Sequence, residues 1–505
     1  MRALLVTSVG VTCVAALTLP LAAPASSAPV LSAASARPPS LTTEPGTDTT
    51  DTSGTTAPDT TTTSDTTAPD GAEPRAAKSA AAPAGSTQSL PLAPLAVPSN
   101  RVAGAPAVQG LPQRDARPFS LVGVVWDDAE AELHGTVQVR TRATGTTRWS
   151  DWQDVETHNA DHAADLGSAE REGRTVRGAT APLWVGDSDG VEVRVRPESP
   201  AAPESQDRAA TPVPLPEGMR LELVDPGEDP APEPARGAPA NRAAVPAVFA
   251  DTPPTAALPE VLTAEIAAAS AVNAEVAELG ASVIPALTQA ETAESVNLAP
   301  GAKPYIGPRP RIVTRKGWGA DEKLRERNFG YTKSVKAAFV HHSATGNNYT
   351  CKQAPSVLRS IYRYHVKSSG WRDFGYNFAV DKCGNIYEGR AGGVTKAVLG
   401  AHTLGFNTNT MGIAVLGSYG STNPPAAAVT AVSKLTAWKL GLFGANPKGK
   451  VTLVSGGSNK YKKGVKVKMN VISGHRDGFA TECPGARLYK KLGTARTSSA
   501  KLQGR

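Results

Sequence analysis

The two stretches that decide the fold of this 505-residue chain are FVHHS at residues 339–343 and GHRDGFATECPG at residues 474–485. Each continues an apolar, strand-like run into side chains that can bind metal. The first stretch brings imidazoles, and the second brings an imidazole and a thiol. Two histidines and one cysteine with a vacant fourth position form a known catalytic zinc arrangement, whereas structural zinc sites have four protein ligands. The alternative interpretation is a histidine pair in the core and a cysteine that belongs to a disulfide.

The first 28 residues have the pattern of a secretory signal peptide. Arg2 precedes a moderately apolar run, and small residues that suit a signal peptidase follow it. An uncleaved membrane anchor is the alternative, because the run is nearly long enough to span a bilayer. No later segment is apolar enough to cross a membrane. The sequence therefore predicts a secreted protein, extracellular or associated with the cell wall, with no transmembrane segment in the mature chain.

Export changes how the four cysteines are interpreted. Cys13 leaves with the signal peptide, and an odd number remains. One thiol outside the cell is then unpaired, intermolecular or bound to metal. Cys351 and Cys383 flank a predicted helix and strand, so we expect a disulfide between them. Cys483 is left over, a short loop beyond His475, and this arithmetic favours the zinc interpretation.

Composition divides the remaining chain into segments. Residues 29–104 are rich in Thr, Asp, Pro and Ala and are predicted to be a disordered linker. Residues 105–227 alternate apolar and polar side chains between Gly and Asp turns, which predicts a small antiparallel β-rich, sandwich-like domain. His158 and His162 lie in it as isolated histidines without a predicted role. Residues 228–307 are a Pro/Ala-rich and helical linker, for which a packing arm on a neighbouring domain is the alternative.

Residues 308–492 alternate strand and helix patterns. Ala337 to His342 is predicted to be a buried strand, Ala354 to Lys367 a helix and Ala426 to Leu440 another helix. This alternation predicts an α/β domain in which helices cover a central mixed sheet. Residues 493–505 are expected to be a tail. The fold class is thus multidomain, with a β-rich domain and linkers before a C-terminal α/β domain.

The formal charge is +7, which on its own would suggest a nucleic-acid partner. No nucleic-acid motif accompanies this charge, and export makes such a partner improbable. A basic exported protein is attracted instead to anionic wall polymers. The lysines between Lys448 and Lys468 are the expected contributors, although a merely solvated basic hairpin explains them equally well.

The region from Arg311 to Leu492 resembles the peptidoglycan recognition protein family and the related phage-lysozyme-type amidases. The resemblance rests on seven motifs in one order: GWGA (317–320), VHHS (340–343), GWRDFGYNF (370–378), YEGR (387–390), GAH (400–402), MGI (411–413) and GHRD with TECPG (474–477 and 481–485). It implies a zinc-dependent N-acetylmuramoyl-L-alanine amidase, which cuts between the muramic lactyl group and the L-alanine of the stem peptide.

The same resemblance assigns site residues by position. It implies zinc ligands at His341, His475 and Cys483. Tyr376 corresponds to the catalytic tyrosine, and Thr481 to a polar residue close to the reacting carbonyl. A further set of positions lines the substrate groove in the family, namely His365, His402 and Asn407. Only one histidine of the pair should enter the cleft, because neighbouring strand residues point to opposite faces.

The implied chemistry combines a zinc-activated water with donors to the developing oxyanion. Zinc lowers the pKa of water to about 7 and polarises the lactyl carbonyl. The hydroxyls of Tyr376 and Thr481 are the expected donors, while Glu388 and Asp477 are candidate bases. The alternative functions are a non-catalytic peptidoglycan sensor on the same fold and a wall-attachment protein. We expect a monomer with peptidoglycan, as muramyl peptides, for its partner.

Overall fold

The structure of the protein, a computed structural model, describes residues 84–95, 108–157, 162–168, 170–198, 213–230, 262–296 and 305–505. The predicted signal peptide and most of the predicted linker 29–104 lie outside these residues. Among the residues described, no helix is both long enough and apolar enough to cross a membrane.

The first sheet is antiparallel and contains eight strands. Its strands are β1 (Ala84–Pro91), β2 (Ala93–Pro94), β3 (Gln109–Trp126), β4 (Gly135–Ala143), β5 (Gln153–Val155), β6 (Gly178–Ala179), β7 (Leu183–Pro197) and β8 (Arg220–Gly227). The order is β1-β8-β3-β7-β4-β5, and β2 and β6 also pair with β3. Hydrogen bonds join all eight described strands into one sheet.

The boundary predicted at residue 105 is wrong, because the sheet begins at β1. All of β1 pairs with β8, with Leu90 opposite Leu221. Residues 84–94 therefore belong to the β-domain and not to a disordered linker. The polar sequence of β1 explains the error, since it lacks the alternation that marks a half-buried strand.

The second sheet is mixed, as predicted for the C-terminal domain. Its order is β17-β11-β14-β12-β13-β10-β9, with β17, β11, β14 and β12 parallel to their neighbours and β12/β13 and β10/β9 antiparallel. The strands are β9 (Val283–Ile284), β10 (Ile312–Val313), β11 (Ala337–His342), β12 (Phe378–Val380), β13 (Ile386–Glu388), β14 (Thr410–Val415) and β17 (Ile472–Gly474), and a separate hairpin consists of β15 (Lys450–Val454) and β16 (Lys466–Asn470).

Helices cover both faces of this sheet. They are α1 (Ala264–Ala271), α2 (Gln289–Ser295), α3 (Ala354–Arg363), α4 (Ala426–Leu442), α5 (Ala486–Tyr489) and α6 (Leu492–Leu502). Ile413 packs on the α4 side with Leu435 and Trp438, whereas the next residue, Ala414, packs on the α3 side with Ile361. The strands are thus buried on both faces, which explains their continuous apolar sequences.

The predicted linker 228–307 and the predicted tail 493–505 both contribute to the folded domain. Strand β9 extends the sheet beside β10, so this part of the linker is the packing arm that was the alternative. Helix α6 packs on α4, where the Thr436 hydroxyl donates to the Ser499 hydroxyl at 3.1 Å. The sequence did not indicate either contact, because both are made by short or weakly amphipathic segments.

The β-domain and the C-terminal domain share a hydrophobic core. The β-domain residues in this cluster are Leu121, Val125, Ala179, Trp184 and Val224, and they pack with α3 and its neighbours. The Tyr364 hydroxyl, just after α3, donates to the Thr180 carbonyl at 3.1 Å. Gly123 permits this approach, because a Cβ at that position would lie 2.4 Å from the Tyr364 hydroxyl oxygen. The two domains therefore pack as a single body.

Candidate metal centre

Two parallel strands carry the first two candidate ligands to one edge of the sheet. Strands β11 and β17 lie side by side, with Val340 opposite Gly474. A histidine follows each of these two residues in the chain. His341 is the last but one residue of β11, and His475 begins the 3-10 turn after β17. Their Nδ1 atoms are 3.1 Å apart. The sheet register alone thus brings together two histidines that are far apart in sequence.

The loop after β17 places the third candidate ligand, Cys483, beside the two histidines. The Arg476 amide donates to the Cys483 carbonyl at 3.0 Å, which closes the loop. The Cys483 Sγ atom then lies 3.7 Å from the His341 Nδ1 atom, and the side chain is fully buried. The three ligands implied by the resemblance therefore converge.

A fourth donor comes from the β-domain. His162 lies in the long connection between β5 and β6, and its side chain is buried against the other three. Its Nε2 atom is 3.2 Å from the His475 Nδ1 atom and 3.5 Å from the Cys483 Sγ atom. All four ligand atoms lie within 4.8 Å of one another.

Four of the six separations among these donor atoms suit a tetrahedral zinc ion. With zinc–nitrogen bonds of 2.0–2.1 Å and a zinc–sulfur bond of 2.3 Å, tetrahedral angles require about 3.3 Å between nitrogens and about 3.6 Å between nitrogen and sulfur. The nitrogen separations are 3.1 and 3.2 Å, and the nitrogen–sulfur separations are 3.5 and 3.7 Å. A mixed imidazole and thiolate set also suits zinc chemically.

The protonation of His341 agrees with a ligand role. Burial, reinforced by the neighbouring His475, lowers the pKa of His341 well below its ordinary value of 6.5. The imidazole is therefore neutral at physiological pH, and the neutral form is the one that binds metal.

His342 points away from this cluster, as the alternation of strand side chains predicts. His341 follows Phe339 on the face that packs against the β15/β16 hairpin, whereas Val340 packs with α4 on the other face. The His342 Nε2 atom lies 3.2 Å from a Glu156 carboxylate oxygen, and the Tyr419 amide donates to its Nδ1 atom at 3.4 Å. Its partners are thus a β-domain carboxylate and a backbone amide.

Tyr376 lies beside the cluster. It precedes β12, and the centre of its buried ring is 5.2 Å from the centre of the His341 ring and 5.8 Å from that of His162. The Arg390 amide donates to the Tyr376 carbonyl at 2.8 Å, which fixes its backbone. The Thr481 hydroxyl accepts a hydrogen bond from the Cys483 amide at 3.2 Å and so stands next to the cysteine ligand.

The three predicted groove residues surround the same site and are all buried. His365 stacks on Trp371 with ring centres 4.4 Å apart, and burial lowers its pKa to about 3. The His402 ring centre is 5.4 Å from that of His341. The Asn407 side-chain oxygen accepts a hydrogen bond from the His402 amide at 2.7 Å. Its side-chain nitrogen donates to the Ala163 carbonyl of the β-domain at 2.9 Å. His365, His402 and Asn407 therefore lie around the candidate metal cluster.

The two candidate bases have structural partners. Burial raises the pKa of Glu388 to about 7, and its carboxylate accepts from the Asn273 side-chain amide at 2.8 Å and from the Arg315 amide at 3.2 Å. Asp477 accepts from the Tyr489 hydroxyl at 2.6 Å and from the Gly474 amide at 2.9 Å. Both carboxylates are thus engaged in holding the fold around the site.

The predicted disulfide is present. Cys351 lies in the 3-10 turn before α3, and Cys383 lies in the turn between β12 and β13, with Cα atoms 6.2 Å apart. Cys483 takes no part in it. The disulfide expected from the sequence is therefore the one in the structure, and Cys483 lies outside it.

His162 is the site residue that the sequence analysis missed. It belongs to a different domain, and its connection has no metal-binding spacing or apolar pattern around it. The only available signal was its residue type, which is also shared by the isolated His158. A candidate ligand of this kind is identified by tertiary packing alone.

Comparison with known proteins agrees with this geometry. Residues 331–486 match the family described as N-acetylmuramoyl-L-alanine amidase, and residues 71–214 match the family described as Rv3811 N-terminal galactose-binding domain-like. Over 185 residues the chain is 30% identical to peptidoglycan-recognition protein SC2 of Drosophila simulans, which covers 36% of this chain and 85% of that relative. The chain belongs to the peptidoglycan-recognition protein family, with an amidase-class domain at its C-terminal end.

Two further similarities involve the same region. The human N-acetylmuramoyl-L-alanine amidase is 30% identical over 194 residues, which is 37% of this chain and 28% of the human protein. The solved structure of Drosophila PGRP-LB is similar at 25% identity, with a TM-score of 0.29, 36% of this chain covered and 92% of that one. The family expected from the sequence motifs is confirmed by the SC2 relative and the amidase family match.

Proposed function

We propose that this protein is an exported, zinc-dependent N-acetylmuramoyl-L-alanine amidase. It binds peptidoglycan and hydrolyses the amide between the muramic lactyl group and the L-alanine of the stem peptide. The observation that carries this proposal is the convergence of His341, His475 and Cys483, with donor separations that suit zinc, beside the ring of Tyr376. The amidase-class domain supplies the chemical class of the reaction.

The roles of the residues follow from their positions. The three amidase-domain ligands hold zinc, which, when bound, supplies polarisation of a carbonyl and activation of water at neutral pH. The Tyr376 hydroxyl donates a hydrogen bond to the oxygen on which charge develops, which is typically worth about 3 kcal/mol for one donor. The Thr481 hydroxyl, which accepts a hydrogen bond from the Cys483 amide, is the second donor to that oxygen. His365, His402 and Asn407 form the walls of the groove.

Export, a monomeric state and attraction to anionic wall polymers are part of the same proposal. The signal-like first 28 residues and the disulfide between Cys351 and Cys383 support export, and the basic charge of +7 supports attraction to wall polymers. Disulfides persist in oxidising compartments, so the bonded pair agrees with a location outside the cytosol.

A second candidate function is a non-catalytic peptidoglycan-binding protein with a structural zinc site. The specific observation in its favour is the fourth donor, His162, because four protein ligands are typical of structural zinc. The two functions differ in what happens to the lactyl–alanine amide when substrate reaches the groove.

The test is mass spectrometry of soluble muropeptides incubated with the zinc-loaded full chain and with its His162→Ala variant, with and without chelator. The amidase proposal expects release of intact stem peptide by at least one of the two proteins and none after chelation. Binding of muropeptide without release by either zinc-loaded protein would establish the second candidate in its place.

A further inference from the structure

The connection between β5 and β6 leaves the β-domain and packs on the amidase domain. We define the covering segment as the described residues 162–168 and 170–177, which leave the sheet after β5 and return to it at β6. Its first residue is the fourth donor of the metal cluster, and the rest lies along the predicted groove. The segment packs closely against the amidase domain, because a Cβ at Gly370 would lie 2.2 Å from the Thr175 carbonyl oxygen.

The covering segment satisfies the polar groups at one end of the groove. The Asn407 side-chain amide donates to the Ala163 carbonyl at 2.9 Å and to the Asp165 carboxylate at 2.7 Å. The Gly405 amide donates to the same carboxylate at 2.7 Å. As a result, only 1% of the Asn407 surface remains exposed.

Arginines hold the other end. Arg390 forms an ion pair with Glu170, and both side chains are nearly buried. Arg372 donates to the Glu170 carbonyl at 2.9 Å and to the Glu172 carbonyl at 2.8 Å. From the segment itself, Arg174 donates to Glu326 at 2.6 Å. These charge-assisted contacts are stronger than neutral hydrogen bonds, so the segment is attached along its length.

The bonded groups resemble those of a muramyl peptide. A stem peptide carries amide carbonyls and free carboxylates, and the groove donors Asn407 and Gly405 here bind one carbonyl and one carboxylate of the protein itself. Next to them, His162 stands at the position where a catalytic zinc site is open to water or substrate. The segment thus presents a peptide-like competitor and a metal ligand together.

We propose that His162 is a fourth zinc ligand and that the covering segment is a built-in pseudosubstrate, so that the folded chain is a latent amidase. This inference rests on the proposed function and adds its regulation. Displacement of the segment opens the fourth ligand position and the groove at the same time. Since a tethered competitor acts at a high effective concentration, the apparent affinity for substrate falls with the fraction of open molecules.

The experiment compares the full-length wild type with His162→Ala and Asp165→Ala variants. His134→Ala is the matched control, since it removes an exposed histidine of the same domain that takes no part in the cluster. Three quantities are measured: zinc retention against a competing chelator, hydrolysis of soluble muropeptide, and the alkylation rate of Cys483 in metal-free protein, followed on its peptide by mass spectrometry. Thermal unfolding verifies that each variant is folded.

We expect His162→Ala to bind zinc about tenfold more weakly or worse, since loss of an outer-shell partner alone costs 10–100-fold. The same variant should hydrolyse muropeptide about tenfold faster or more, as the open fraction rises. Asp165→Ala should retain zinc ligands yet accelerate both hydrolysis and Cys483 alkylation, because it loosens the segment without removing a donor. His134→Ala should match the wild type in all three measurements.

Equal zinc retention, hydrolysis and alkylation in wild type and both segment variants would overturn the latency proposal while leaving the amidase function intact. Weaker zinc binding by His162→Ala with no hydrolysis by any protein would have a different meaning. It would uphold the ligand assignment and refute the amidase function, and latency with it.

Discussion

The Nε2 atom of His162 lies 3.2 Å from the Nδ1 atom of His475, although 313 positions separate the two residues in the chain. One belongs to the β-domain, and the other follows the last strand of the amidase domain. The metal cluster therefore depends on the packing of two domains on each other.

The metal ligands of the amidase domain should have no substitute. We expect Cys483→Ala and His475→Ala to abolish hydrolysis and to retain zinc at least tenfold more weakly, because each loses a donor of the amidase domain while His162 still occupies the position that water or substrate needs. Zinc content after gel filtration is the measurement. His342→Ala is the control and should retain zinc, since its side chain contacts Glu156 and not the cluster. Loss of zinc from His342→Ala but not from His341→Ala would show that the wrong histidine was assigned.

Tyr376→Phe should separate binding from turnover. The change removes one hydroxyl donor and keeps the ring that packs beside His341. We expect zinc content and muropeptide binding to stay at the parent level, and turnover to fall about 100-fold, which corresponds to about 3 kcal/mol for one donor. The measurement is made in the His162→Ala background, where substrate has access. Turnover at the parent rate would mean that the tyrosine is structural.

Glu388 should make stability depend on pH. Burial raises its pKa from an ordinary value of 4.5 to about 7 in the folded protein. Between these values the folded state holds more protons than the unfolded state, so the free energy of unfolding falls as pH rises from 4.5 to 7 and then levels. The full loss is about 3 kcal/mol. Urea unfolding at several pH values measures it, and Glu388→Gln should lack this slope; an unchanged slope in the variant would assign it to other groups.

The disulfide should contribute to stability without supporting the metal site. Cys351 and Cys383 are 32 positions apart, and for such a loop the chain-entropy model gives about 3–4 kcal/mol. We expect the double variant Cys351→Ser/Cys383→Ser to lose roughly this free energy of unfolding and to keep its zinc. Denaturant unfolding and metal analysis are the two measurements. Zinc loss from the folded double variant would contradict the separate role of Cys483.

Local patterns in the sequence were sufficient for the centre of the amidase domain. The buried strand predicted at Ala337 to His342 has those bounds in the structure, and the helix predicted from Ala426 is α4. The helix predicted from Ala354 to Lys367 is α3 followed by a π-helical turn over Tyr364–Ser368. The set of His341, His475 and Cys483 was implied by the family resemblance, and the structure brings the three side chains together.

The remainder depends on packing that no local pattern records. Strand β1 is polar, β9 has two residues, and His162 has no motif around it. Their positions are set by partners that are distant in sequence, such as β8 for β1 and β10 for β9. A domain boundary at residue 308 also cuts through the fold, since Asn273 before it donates to the buried Glu388 after it. Composition predicted linkers at residues 29–104 and 228–307, but parts of both form edge strands, β1 and β9.

The two-residue strand β9 is the last strand of the seven-stranded sheet, and Pro285 follows it directly. A longer strand here would present a row of unpaired amides and carbonyls to which a strand of another molecule could add. Proline has no amide hydrogen, and the Pro285 carbonyl already accepts a hydrogen bond from Arg309 at 3.0 Å. A short edge strand that ends in proline prevents edge-to-edge pairing with another sheet. The arm before the amidase domain thus protects the protein against aggregation through that edge.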